Sequence, residues 1–155
     1  MEDTNYKVAL SLMLKSMEAG HYDANKLVNH QRILTLGPTP PVLLDIGLQP
    51  LPIAMTGKVV DKCYFDHGVT KSVLEKAYQI IAAPKALYRS TTVGCLIMTY
   101  EIRRADPLIV SIHPQKQLGG RKDFYNTVAS MYYKENDPET RWTKQGLLLW
   151  SAQQK

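Results

Sequence analysis

A hydroxyl, a phenol and an amine occur at every second position near the carboxyl end of the chain, at Ser130, Tyr132 and Lys134. In an extended segment, residues i, i+2 and i+4 point to the same side, so these side chains would line one cleft. Such a trio can bind a phosphate group and suggests chemistry on a phosphodiester. The stretch from Phe124 to Lys134 fits either a helix or a strand, and a helix would separate the three groups.

Phosphodiester chemistry also needs a proton-transfer group, and His67 is the first candidate. It lies in Asp66-His67-Gly68, just before a helix start, where a loop can expose an imidazole. Histidine alone titrates near neutral pH without help, and Gly68 leaves room for a substrate to approach. The alternative is a histidine that only forms a hydrogen bond beside a turn. His113 is expected to be mainly structural, although a second histidine could supply the other proton transfer.

The segment Arg89-Ser90-Thr91-Thr92 places a cation and three hydroxyls at the end of a predicted strand. The forked guanidinium of arginine matches the paired oxygens of a phosphate and would stabilise charge in the transition state. An ordinary polar strand end explains the same residues. Alternation alone does not decide which of Arg89, Ser90 and Thr91 faces inward.

The charge balance favours a polyanionic partner, because 19 basic residues against 14 acidic ones give a net charge of +5. Basic side chains could form a rim around a site, and aromatic ones could stack on unpaired bases. The candidates are Lys58, Lys62, Lys71, Lys116, Arg121 and Lys122, with Tyr64, Tyr125, Tyr133 and Trp150 as the aromatic residues. A solvated basic surface and core aromatics explain the same set.

Composition bounds the class of protein. A chain of 155 residues with 45% hydrophobic residues is expected to form one domain over 1–155, with a helical part over 1–36 and an α+β core over 37–155. The sequence has no P-loop, dinucleotide-binding fingerprint, Gly-x-Ser-x-Gly elbow or His-Glu-x-x-His motif, and it has no Cys-x-x-Cys pair. We therefore expect no cofactor and no metal.

The amino-terminal segment is acidic where a signal peptide would be basic, and the apolar run from Val8 to Leu14 is too short to span a bilayer. We therefore expect a cytoplasmic protein without a signal peptide and without a membrane partner.

Apolar spacing predicts helices in the first half of the chain. Val8, Leu12, Met13 and Met17 form a helical stripe, and a second helix is predicted from Asp23 to Leu36. The proline-rich segment 37–57 is predicted to wrap the core without a long helix or central strand. Residues 58–67 are predicted to be a link. Another helix is predicted to begin at Thr70 or Ser72 and to end at Ala83-Pro84.

Strand patterns follow in the second half. The predicted strands are Ala86 to Thr91, Cys95 to Ile102, Leu108 to His113 and Leu147 to Trp150, and the second and third should pair as a hairpin. Asp137-Pro138-Glu139 predicts a helix start, with Gly146 as its exit. Helices followed by mostly antiparallel strands indicate an α+β fold.

These features, in this order, resemble the phage-associated nuclease-like domains of the barnase, EndoU, colicin E5/D and RelE group (the BECR-type group). Such domains occur as carboxy-terminal modules of phage MuF-like and polyvalent proteins. The resemblance covers about residues 34 to 151. It rests on Leu36-Gly-Pro-Thr-Pro, Asp66-His-Gly-Val, the Leu74 helix ending at Ala83-Pro84, Leu87-Tyr-Arg-Ser90, the Gly94 to His113 hairpin, Ser130-Met-Tyr-Tyr-Lys134 and Gly146-Leu-Leu-Leu-Trp150.

The resemblance implies amino-terminal helices packed on a four-stranded antiparallel sheet, and a metal-independent ribonuclease that acts as a toxin or phage effector. It implies RNA as the substrate and an immunity protein or antitoxin as a partner. The implied roles are acid/base for His67, phosphate stabilisation for Lys134 and Arg89, and orientation for Ser90, Ser130 and Tyr132. From the residues themselves, Thr91, Lys62 and Trp150 are expected to make further substrate contacts. The alternative is an inactive module of a phage protein that binds nucleic acid or protein.

Overall fold

The computed structural model describes residues 1–18, 30–91, 94–99, 106–118 and 122–152. In these ranges there are six α-helices: α1 (Tyr6–Glu18), α2 (Pro41–Asp45), α3 (Gly57–Asp61), α4 (Lys71–Glu75), α5 (Ala77–Ala82) and α6 (Pro138–Lys144). The strands are β1 (Ile33–Pro38), β2 (Pro52–Thr56), β3 (Ala86–Arg89), β4 (Cys95–Thr99), β5 (Leu108–Gln117), β6 (Phe124–Tyr133) and β7 (Leu148–Ser151). A π-helical turn over Lys62–Asp66 continues directly from α3.

The strands form one sheet in the order β1-β2-β6-β5-β4-β3-β7. The α+β prediction is confirmed, but the expected four-stranded antiparallel sheet is wrong in two respects. The sheet has seven strands, and β2 pairs with β6 in parallel. The added strands β1 and β2 come from segments that were predicted to be a helix end and a proline-rich wrap, and β7 closes the opposite edge.

The sheet has two faces, because residues paired across strands point to the same side. Leu87, Val110 and Met131 belong to the main core, which also includes residues of α1 to α5, and we call this side the inner face. Ile109 and Tyr132 belong to a smaller apolar cluster on the other side, which we call the outer face.

Helix α6 packs on the outer face beside β3. The ring of Trp142 meets Tyr88 edge-on at 5.3 Å between centroids, and Lys85 pairs with Glu139 at 3.1 Å. Asp137 accepts a hydrogen bond from the Thr140 amide at 3.2 Å, which confirms the predicted cap. Helix α6 therefore covers the β3 end of this face, and its Trp142 belongs to the same apolar cluster as Tyr132.

Helix α1 forms as predicted, but the predicted apolar stripe is wrong in part. Val8 and Leu12 are each 63% exposed, whereas Tyr6, Leu10 and Leu14 are buried. Residues 6, 10 and 14 have the same helical spacing as 8 and 12, so periodicity could not choose between the two stripes. The Tyr6 hydroxyl decides the orientation, because it donates a hydrogen bond to the Leu74 carbonyl at 2.7 Å.

The helix predicted from Asp23 to Leu36 is wrong at its carboxyl end, and its residues 23–29 lie outside the described ranges. Residues from Ile33 onwards form β1, with Leu34 and Leu36 buried on alternate positions. Pairing with β2 supplies the hydrogen bonds that a helix would otherwise make internally. Tertiary pairing therefore overrides the local pattern.

The proline-rich segment does contain a central strand, contrary to prediction, because β2 lies between β1 and β6. Pro52 is tolerated since it is the first residue of the strand, where a missing amide hydrogen costs little. The predicted link over residues 58–67 is also wrong. It forms α3 and the π-helical turn, and Thr56 caps α3 by accepting a hydrogen bond from the Val59 amide at 3.4 Å.

Several local predictions are confirmed. Thr70, and not Ser72, caps α4 by accepting a hydrogen bond from the Val73 amide at 3.3 Å, and α5 ends before Pro84. Strands β4 and β5 pair as an antiparallel hairpin, although residues 100–105 lie outside the described ranges. Gly146 has a φ of +75°, the left-handed value expected at the exit of α6.

Candidate functional site

The main chain of β6 changes partner along one edge. β2 pairs with it only at Asn126 and Thr127. Further along, Met131 bonds to the π-helical turn and its flank: its carbonyl accepts from His67 Nδ1 at 2.8 Å, and its backbone also hydrogen-bonds with Cys63. The turn thus satisfies the strand edge that β2 leaves open, and in doing so it fixes the position of His67.

This contact sets the protonation pattern of the imidazole. A carbonyl oxygen can only accept, so Nδ1 of His67 carries the hydrogen and Nε2 carries the lone pair in the neutral ring. The His67 amide donates to the Lys62 carbonyl at 3.1 Å, which holds the backbone as well. The ring is half-buried and meets the ring of Tyr132 edge-on at 6.3 Å between centroids. His67 is thereby an oriented base beside a phenol.

Cys63 supports this arrangement from inside the protein. Its side chain is fully buried, and burial raises the pKa of the thiol to about 11 while the Met131 backbone hydrogen bond opposes the shift. The thiol therefore stays neutral at physiological pH. Cys63 is the buried residue of the π-helical turn and helps to position it, and its neutral state makes it a poor nucleophile.

The structure settles the choice of helix or strand for residues 124–134. β6 runs to Tyr133, so Ser130 and Tyr132 share the outer face, opposite Ser111 and Ile109 respectively. Lys134 follows the strand with its amide bonded to the Pro107 carbonyl at 3.1 Å, which continues the same alternation.

A β-bulge accompanies this part of the strand. Ser111 pairs with Ser130 while Ile112 pairs with Val128, so Ala129 is the extra residue. Ser130, Tyr132 and Lys134 are each half-buried. Burial raises the pKa of Tyr132, so the phenol remains protonated and available as a hydrogen-bond donor.

The structure does not bring Arg89 to this group. Arg89 ends β3 on the inner face, with Leu87, whereas Ser130 and Tyr132 are on the outer face. Strands β5 and β4 lie between β6 and β3, so the two strands are roughly 14 Å apart at the usual spacing.

The remaining predicted site residues divide in the same way. Ser90 and Thr91 follow Arg89, and Trp150 pairs with Leu87 and packs against the main core. Lys62 is exposed on the π-helical turn that leads to His67. Tyr132 therefore lies beside His67, whereas Arg89 and Trp150 lie at the β3 end of the sheet.

Two positioning features could not be expected from the motifs alone. The Met131 carbonyl is a main-chain group, and every residue type has one, so the sequence gives no sign of this contact. Cys63 precedes His67 by four residues, a helical spacing that would have placed both on one side had the segment been predicted as helical.

Within the ranges that the structure describes, no helix combines the length and the apolar character needed to cross a membrane. In the same ranges, no group of three or more His, Cys, Asp or Glu side chains is arranged to hold a metal ion.

Comparison with known families gives one match. The model of the phage MuF-C-terminal domain matches residues 58–155, a range that contains the π-helical turn, His67 and all of β3 to β7. No curated protein and no solved structure matches the chain significantly. The matched range leaves out α1, β1 and β2 but covers more than half of the chain. The chain therefore belongs to the phage MuF C-terminal domain family.

Proposed function

We propose that this domain is a metal-independent ribonuclease that cleaves RNA through attack of the 2′-hydroxyl on the adjacent phosphate. The observation that carries the proposal is the bond from His67 Nδ1 to the Met131 carbonyl, which leaves Nε2 as the basic atom beside Tyr132. A general base must reach the proton that it removes, and a half-buried imidazole at a strand edge is placed to do so.

In the proposed reaction, Nε2 of His67 takes the proton of the 2′-hydroxyl. The 2′ oxygen forms a bond to phosphorus, and the bond from phosphorus to the 5′ oxygen breaks. The departing 5′ oxygen takes a proton from solvent. The products are a 2′,3′-cyclic phosphate and a 5′-hydroxyl, and His67 loses its proton to water before the next cycle.

The neighbouring side chains supply what this reaction needs besides a base. The Lys134 ammonium stabilises negative charge that develops on the phosphate oxygens. Tyr132, whose pKa is raised by burial, and Ser130 donate hydrogen bonds that orient the phosphate. Lys62, exposed on the π-helical turn, contacts the RNA backbone. The net charge of +5 favours a polyanionic substrate.

We also infer the setting of this activity from the family. A ribonuclease carried on a phage MuF C-terminal domain would act as a toxin or phage effector, with the barnase-like arrangement as its proposed fold type and an immunity protein or antitoxin as its partner. Expression in bacteria should then be toxic, and His67→Ala should relieve the toxicity.

A second function is supported by the division of the predicted residues between two faces. Arg89 and Trp150 lie away from His67, as expected for a module that binds nucleic acid or protein without turnover. Such a module would bind RNA in a salt-sensitive way and leave it intact.

The test is incubation of the purified chain with single-stranded and structured RNA in EDTA. We expect cleavage by the wild type and by His113→Ala, and none by His67→Ala. Intact RNA with every substrate would favour the binding module, and cleavage by His67→Ala would remove His67 from the reaction.

A further inference from the structure

A cavity of about 340 Å³ opens at the β3 end of the sheet, on the side opposite to Tyr132. Its walls are mostly apolar and come from Ile46, Leu48, Pro114 and Leu149. Three polar residues also line it, Arg89, Gln49 and Gln115. A concave site with apolar walls and a few polar groups is the usual form of a small-ligand site, and this volume is within the usual range.

One buried side chain holds two sides of the cavity together. Asn126 is fully buried, and its Nδ2 donates to the Gln49 carbonyl at 2.9 Å and to Thr39 Oγ1 at 2.8 Å. Its Oδ1 accepts from the Gln115 amide at 3.2 Å. The segments that present Gln49 and Gln115 are thus fixed to the same strand, so the cavity is preformed.

The backbone around Gln115 is irregular. His113 pairs with Thr127 while Lys116 pairs with Tyr125, so β5 carries a bulge that includes Pro114 and Gln115. Gln115 has a φ of +50°, an unusual value for a residue other than glycine. Bulges of this kind occur often beside binding sites, where they redirect a side chain.

Gly94 lines the cavity at a point where two segments of main chain are in close contact. Its φ is +82°, and a Cβ there would overlap the Ile112 carbonyl oxygen and crowd the Pro114 ring. Only glycine allows the main chain at position 94 to approach β5 this closely. The cavity is therefore bounded at Gly94 by closely packed main chain.

Arg89 is the cation of this cavity. It is exposed, and among the residues that the structure describes its side chain has no hydrogen bond and no ion pair. A cavity lined by one arginine, two glutamines and four apolar residues suits a ligand with an anionic group joined to a flat, partly apolar body.

We propose that this cavity binds a single nucleotide. Arg89 pairs with the phosphate, the apolar walls enclose the base, and the carboxamides of Gln49 and Gln115 hydrogen-bond to its edge. The nucleotide is either free or one unit of an RNA strand. Binding here does not require His67, so this inference stands or falls separately from cleavage.

The test is a calorimetric titration with the four nucleoside 5′-monophosphates, and a second titration with a 2′-O-methyl RNA decamer, which offers no attacking hydroxyl. Each is done with wild type, Arg89→Gln, Leu149→Ser and the control Arg141→Gln, which removes an exposed arginine on α6. We expect Arg89→Gln to weaken binding tenfold or more, Leu149→Ser to weaken it severalfold, and Arg141→Gln to change it less than twofold.

The two arms identify the source of the nucleotide. A loss of affinity for monophosphates in Arg89→Gln indicates a free nucleotide as a ligand, and a loss confined to the decamer indicates a nucleotide within RNA. Equal affinities of Arg89→Gln and Arg141→Gln in both arms, or no binding of either ligand by the wild type, would overturn the inference. Circular dichroism of each variant confirms that it is folded.

Discussion

Two regions are held by hydrogen bonds to β6: the His67 edge, where the π-helical turn and His67 meet Met131, and the Arg89 cavity. They use the strand differently. At the His67 edge, the backbone of Met131 bonds outward to a neighbouring turn. At the cavity, the buried side chain of Asn126 binds the backbone of two other segments. The first arrangement orients a base, and the second shapes a pocket around a cation.

This difference separates catalysis from binding. A base needs one defined atom in one protonation state, which a single hydrogen bond can set. A binding pocket needs several walls in fixed relation, which the buried amide of Asn126 provides. Under the proposed function the chemical step belongs to the His67 edge, and under the further inference affinity belongs to the Arg89 cavity. Each proposal can be tested alone.

The largest effect is expected at His67. His67→Ala should reduce RNA cleavage by about 100-fold or more, because general-base catalysis typically contributes a factor of that size. The measurement is the initial rate on a fluorogenic RNA in EDTA. His113→Ala is the matched control, since residue 113 lies four positions along β5 from Ile109, the partner of Tyr132. Equal losses in the two variants would contradict the role of His67.

Asn126→Ala should destabilise the fold by about 3 kcal/mol, because it leaves the Gln115 amide, the Gln49 carbonyl and Thr39 without this partner. The measurement is urea denaturation. Gln31→Ala, a change at an exposed carboxamide residue, should alter stability by less than about 0.5 kcal/mol. Similar midpoints for the two variants would mean that Asn126 does not hold the cavity together.

Removing each of the two cations in turn, Lys134 and Arg89, should distinguish an effect on the catalytic rate from an effect on the affinity for RNA. Lys134→Ala should lower kcat by roughly 30-fold, since its charge acts on the transition state. Arg89→Ala should mainly raise KM, because its contact is the same before and during the reaction. Steady-state kinetics of both variants check this, and the reverse pattern would exchange the two assignments.

Thr127 tests the packing of the outer face of β6. It is 3% exposed, and its hydroxyl has no hydrogen-bond partner among the described residues. Thr127→Val keeps the shape and removes an unsatisfied polar group, so we expect stabilisation by about 1 kcal/mol in thermal or urea denaturation. Destabilisation of that size would show that the hydroxyl has a partner in solution.

The smallest expected effect concerns the pH dependence of Cys63. Its pKa is raised from 9.0 to about 11, so between these values the unfolded chain has released a proton that the folded chain keeps. The unfolded state then binds fewer protons, and stability falls as pH rises through this window. From pH 8 to pH 10, wild type should lose about 1 kcal/mol more than Cys63→Ala. Equal losses would indicate an exposed thiol.

Local sequence patterns could predict what depends on local structure. The caps at Thr70 and Asp137 follow from side chains that satisfy amides three positions away, and both are found. Alternation correctly placed Ser130 and Tyr132 on one face once the segment is extended. These predictions need no knowledge of distant residues.

What failed depends on pairing between distant segments. Arg89 could not be assigned to a face relative to Ser130, because that requires the strand order and the register of β3, β4 and β5. Strands β1 and β2 were not predicted, because they are stabilised by hydrogen bonds to other strands, and the residue types of β1 and β2 do not indicate this pairing. The sequence could therefore predict which strand each candidate residue belongs to, but not where that strand lies in the sheet.

The most direct test uses a 2′-O-methyl RNA that contains one ordinary ribose, incubated with the wild-type chain in EDTA. Mass spectrometry of the fragments identifies both new ends. We expect a single cut after the ribose, with a 2′,3′-cyclic phosphate and a 5′-hydroxyl, and no cut with His67→Ala. Cleavage at a 2′-O-methyl position, or fragments with a 5′-phosphate, would contradict attack by the 2′-hydroxyl with His67 as the base.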